Sequence, residues 1–66
     1  MRREFITAVP PWEVREIALA SGASVSLEIT EAEPFRGMPR FRVVVKGGEW
    51  EVKKFMMHMM RARAGG

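Results

Sequence analysis

Ser24 to Glu31, "SVSLEITE", alternates without a break and constrains the fold more than any other stretch. Val25, Leu27 and Ile29 fall on one side, and Ser24, Ser26, Glu28 and Thr30 on the other. A period of two with one wet face predicts a half-buried antiparallel strand. Arg40 to Lys46 repeats the pattern, with Phe41, Val43 and Val45 inward and Arg40, Arg42 and Lys46 outward. Two such strands need a sheet with one apolar side, and that side needs a cover.

Two further segments offer it. Pro11 suits the first position of a helix, with Glu13 in the first turn where the dipole favours an acid. Val14, Ile17, Ala18 and Ser21 share one face, and Gly22 supplies a left-handed stop. Lys53 to Ala64 is rich in Met, Lys, Arg and Ala, all suited to helix. There Phe55, Met56, Met59 and Met60 form an apolar arc, with Lys54, His58 and Arg61 on the other side, before a closing Gly65-Gly66. Arg3 to Val9 is β-branched and aromatic, a short first strand ended by Pro10-Pro11. "AEPFRGMP", with two prolines and a glycine, is expected to be a loop.

Gly47-Gly48 divides two readings. As a tight hairpin turn it brings Glu49 to Val52 back as a further strand with Trp50 and Val52 inward. As a plain link it leads into a helix starting near Glu49. The hairpin is preferred, because Trp50 and Val52 match strand alternation and Gly-Gly caps a helix poorly. The expected order is β-α-β-β-β-α. That makes a two-layer α+β domain spanning 1–66, an antiparallel three- or four-stranded sheet with both helices on one face.

Composition narrows function by exclusion. Cysteine and aspartate are absent and there is one histidine, so thiolate metal sites, disulfides and catalytic triads are hard to build. A non-enzymatic domain without cofactor or metal is the expectation. No apolar run approaches the roughly 20 residues of a membrane span, and no signal segment opens the chain, which favours the cytoplasm. Asn and Gln are also missing, which fits a thermophilic source. Eleven Lys and Arg against eight Glu give a net charge of +3, suited to nucleic acid or an acidic protein.

From Pro11 to Ala64 the pattern resembles a double-stranded-RNA-binding domain. The shared features are the proline-led helix "PWEVREIALASG", the loop "EAEPFRGMP", the strand and turn "PRFRVVVKGG", and "VKKFMM" opening the last helix. The resemblance implies an α-β-β-β-α core that holds RNA phosphates through Lys53 and Lys54. Arg36 stands in the loop where the family carries a histidine. "ASGASVSLEIT" and "VKKFMM" are also similar to a phosphocarrier of the sugar phosphotransferase system, without its active histidine.

Lys53, Lys54 and Arg61 are therefore the expected phosphate contacts. Arg36 and Arg40, beside Phe35 and Met38, form the expected second contact across a groove. Phe35 is expected to fold back as a lid, and Trp12 and Trp50 to lie in or at the edge of the core. The preferred partner is RNA, then DNA. The different-class alternative is a regulatory module that binds protein or self-associates through the first strand or the Met-rich helix.

Overall fold

A computed structural model describes residues 1–64, so the Gly65-Gly66 stop lies outside the described residues. The elements are β1 (Arg2–Thr7), α1 (Pro11–Ser21), β2 (Val25–Phe35), β3 (Met38–Gly47) and α2 (Glu49–Ala64). The domain is α+β, with three antiparallel strands in the order β1-β3-β2. Because β1 and β2 both run against β3, they are parallel to each other, and α1 makes the crossover between them. This is a split β-α-β unit.

Register sorts the sheet's two faces. Phe5 pairs with Val43 and Thr7 with Phe41, while Leu27 pairs with Val45 and Ile29 with Val43. Residues opposite one another point to the same side, so these line the inner face. Val43 and Val45 are fully buried there against Val14 of α1 and Val52, Phe55 and Met59 of α2. Both helices thus cover one face. The Phe5 ring meets Phe55 at 6.4 Å between centroids.

Helix α1 starts as its prolines dictate. Pro10 is extended (φ −66°, ψ 154°), and its carbonyl accepts from the Glu13 and Val14 N–H groups. Gly22, at φ 68°, ends the helix and donates to the Leu19 carbonyl. Ser21 is buried but satisfied, donating to the Ala18 carbonyl at 2.6 Å and accepting from the Ala23 N–H at 3.0 Å. Thr7 Oγ1 accepts from the Val9 N–H and so turns Val9 into the core.

Two expectations are corrected. Glu49 to Val52 is not a strand but the first turn of α2, so the order is β-α-β-β-α. The Val52 N–H donates to the Gly48 carbonyl at 2.9 Å, closing a helical turn directly after the glycines. Val52 and Phe55, three apart, then share the buried side, whereas strand alternation would bury Trp50. Two strands stand between the helices, where the duplex-RNA-binding arrangement has three; β1 supplies the third from ahead of α1.

"AEPFRGMP" is the second correction, since it forms the closed end of a β2–β3 hairpin rather than a loop. Phe35 pairs with Met38, and Arg36 and Gly37 make a two-residue turn with φ 51° and 77°. Two positive φ values in such a turn are the type I′ signature, whose twist matches the strands. Pro39 is tolerated because β1 pairs with β3 only over Phe41 to Lys46, leaving one side of β3 unpaired at Pro39. A bulge between Ala32 and Phe35 takes up Pro34.

Candidate interaction surfaces

The five expected contact residues do not converge. Helix α2 leaves the sheet beside Gly47 and runs back, so that Met59 and Met60 line a groove with Thr7 and Ala8 at the other end of β1. Lys53 and Lys54 therefore stand at the Gly47 end. Arg61 lies seven residues beyond Lys54, about 10 Å along the axis, towards the sheet end from which the hairpin projects. Arg36 and Arg40 belong to that hairpin.

Both lysines have acidic neighbours on their own helix. Lys53 Nζ is 3.9 Å from Glu49 and lies 5.3 Å above the Trp50 ring. Lys54 Nζ is 3.5 Å from Glu51. Such exposed pairs are worth only about 0.3–0.5 kcal/mol, but they offset the positive charge a phosphate would meet. Glu51 also accepts from the Ser24 N–H at 2.8 Å, and this bond, aided by Lys54, holds its carboxyl below the ordinary value of 4.5. His58 Nδ1 lies 3.1 Å from the Lys54 carbonyl. Arg61 is exposed and makes no ion pair among the described residues.

The open sheet face is likewise mixed. Arg2, Arg42 and Lys46 point outward, but Glu4 sits 2.9 Å from Arg2 and 3.7 Å from Arg42. Glu28 shares a row with Val44 and Glu4. Cations and carboxylates are interleaved on this face.

At the hairpin tip Phe35 is exposed instead of folding back as a lid. The guanidinium carbons of Arg36 and Arg40 lie 5.2 and 4.9 Å from its ring centroid. Arg40 Nε is buried without a hydrogen-bond partner. One aromatic ring thus carries both predicted arginines.

Apart from Met57, which falls off the apolar arc of α2, sequence reasoning missed the outer side of the helical layer. Trp12 is 63% and Trp50 74% exposed, neither of them in the core. Met60, placed on the apolar arc, is exposed as well, and Met57 joins it. On α1, Trp12 and Leu19 are seven residues apart and point away from buried Val14. On α2, Trp50 and Met57 repeat the spacing opposite buried Val52. The signal was present in the heptad separation, but both tryptophans also fit inward positions of other readings.

Among the described residues, no cluster of His and Glu is disposed to hold a metal, and no helix is long and apolar enough to cross a membrane. A family model described as "Uncharacterised protein" matches residues 1–66. The chain belongs to that family. No curated protein and no solved structure matches it.

Proposed function

We propose that the domain is a non-enzymatic protein-interaction module that docks through the outer side of its two helices. The carrying observation is the pair of tryptophans, 63% and 74% exposed, on the outward lines of two packed helices. Tryptophan is mostly buried in folded chains, and Trp and Met are enriched where proteins meet. Met57 and Met60 add adaptable thioethers, and Lys53 above Trp50 gives the patch a basic rim. Proximity of Glu49 and Glu51 to the lysines weighs against the same helix serving as a phosphate clamp.

A photo-crosslinking amino acid at Met57, in the full chain inside its native cells, tests this. A discrete protein adduct is expected, and it disappears in the Trp12→Ser/Trp50→Ser variant while the circular dichroism spectrum is kept. An adduct indifferent to that variant, or adducts with nucleic acid alone, would overturn the reading.

The second reading, an RNA-binding role, is favoured by the hairpin tip. An exposed ring beside two guanidiniums suits stacking on an unpaired base, with the arginines against phosphate. Arg36 holds a left-handed backbone where Asn or Gly is the common choice, and backbone strain of this kind gathers at functional positions. Single-stranded RNA is then the preferred ligand, with Phe35, Arg36 and Arg40 as its contacts. Arg61 lies towards the same end of the sheet, and Lys53 and Lys54 are distant. In a salt-titrated assay Arg36→Glu/Arg40→Glu weakens binding about tenfold or more, and Lys53→Glu/Lys54→Glu has the smaller effect. Absence of binding near 50 mM salt, where electrostatic affinity is high, would remove this role.

A further inference from the structure

We infer that two copies of this chain pair edge to edge through β2, antiparallel and centred on Leu27. The surface contains neither tryptophan and meets the outer helical side only at Leu19, so it does not depend on that reading.

Strand β2 pairs only with β3, so its other edge carries a row of N–H and C=O groups with no strand beside it among the described residues. Natural sheets guard such edges with short strands, lysines, prolines or bulges. The opposite edge is guarded in this way, since β1 has six residues, three of them Arg2, Arg3 and Glu4. From Val25 to Thr30, β2 carries one charge, Glu28 on the open face, and no lysine, proline or bulge; its proline and its bulge lie beyond Ala32. Beside this unguarded stretch runs an open groove of about 530 Å³ between β2 and α1, lined by Ala18, Leu19, Ala23, Val25 and Leu27, with Arg15 among them. Val25, Leu27 and Ile29 are only half-buried, although they form the inner face of the sheet.

A second copy fits because the segment is complementary to itself. With Leu27 opposite its own mate on the two-fold axis, Val25 faces Ile29 of the second copy, and Ile29 faces its Val25. The inner apolar row then continues across the join. On the open side Ser26 faces Glu28, and Ser24 faces Thr30, so no like charges stand directly opposite. The same register brings Glu31 of the second copy opposite Ala23, which lines the groove with Arg15. Glu31 lies on the inner side of its strand, paired with Phe41. Two Arg15–Glu31 pairs therefore close the two ends of the seam. Centring on Glu28 instead would set two carboxylates face to face, and centring on Ile29 would set Leu27 against Glu31. The result is a six-stranded sheet with four helices on one side.

Sedimentation equilibrium of the full chain reads the state directly, and a dimer is expected. Arg15→Glu and Glu31→Arg are both at exposed positions; each alone raises the dimer dissociation constant about tenfold or more, and the two together restore it. The register is read by Leu27→Cys in a chain that has no cysteine of its own. Residues directly opposite in an antiparallel pair have Cα atoms about 4.5–5.5 Å apart, within disulfide reach. Mild oxidation then links two chains rapidly, and Thr30→Cys, off the axis, does not. A chain that stays monomeric to about 1 mM overturns the proposal. A dimer indifferent to the charge swap and not linked at position 27 overturns it too, since that dimer uses another surface.

Discussion

Arg36 is the residue whose backbone and side chain pull in different directions. The turn it occupies asks for Asn-Gly, and only its partner Gly37 (φ 77°) meets that demand without strain. Replacing Arg36 by Asn should stabilise the fold by about 1 kcal/mol. In a domain of this size that raises the melting temperature by about 5 °C. If the tip binds RNA, the same variant loses affinity while gaining stability, a combination that a purely structural turn does not give. Glu51 gives the second residue-scale expectation. Its folded carboxyl titrates below the unfolded one, because the charged form accepts from the Ser24 N–H and faces Lys54. That contribution is complete above the ordinary 4.5 and is lost as pH falls through the lowered value. Thermal melts between pH 7 and pH 3 should show wild type approaching Glu51→Gln as the acid form fills. A stability gap that stays constant across this range would mean that the carboxylate charge contributes nothing.

At the scale of elements, legibility followed the length of the pattern. The inward rows of β2 and β3 were readable because Ser24 to Thr30 alternate strictly and only Val44 interrupts the same pattern from Arg40 to Lys46, runs long enough to favour one period. Helix α1 was readable from its proline entry and its Gly22 exit. The start of α2 was not. In Glu49 to Val52 the apolar residues stand two apart, which suits a strand, yet Val52 and Phe55 stand three apart, which suits a helix. Four residues cannot separate these periods; tertiary packing can, and it buries Val52 and Phe55 and leaves Trp50 in water. The hairpin was hidden for another reason: its prolines rule out a doubly paired strand, and nothing local reveals that β1 stops short of them. The candidate site was legible only in part, since the paired arginines near Phe35 were visible but the glutamates beside Lys53 and Lys54 become neighbours only once the helix extends back to Glu49. A pair of truncations checks the helical phase of α2. Phe55→Ala should cost about 3–5 kcal/mol, a large share of the total for so small a domain. Trp50→Ala should stay within about 0.5 kcal/mol. Urea denaturation measures both, and a costly Trp50→Ala would put that ring back in the core.

Across the whole molecule the core and the hairpin tip are separate. Val9, Val14, Val43, Val45, Val52, Phe55 and Met59 hold the layers together, and none of them lies between Ala32 and Arg40. The hairpin end pairs only with itself, beyond the reach of β1. Its removal is therefore an operation on function more than on fold. Joining Ala32 to position 40, which are already opposite one another, through an Asn-Gly turn, with Arg40→Ser, keeps their register and supplies the type I′ geometry. The shortened chain should melt cooperatively, with a stability change of about 1 kcal/mol or less, because no buried side chain is removed. It keeps Arg15, Glu31 and Val25 to Thr30, so edge pairing should survive. It also keeps Trp12 and Trp50, so protein docking should survive as well. RNA binding, by contrast, should vanish with Phe35, Arg36 and Arg40. One variant thus separates the roles by position. If RNA affinity persists in the shortened domain, the contacts belong to α2 or to the open sheet face, and Lys53, Lys54, Arg61 and Lys46 become the residues to change next.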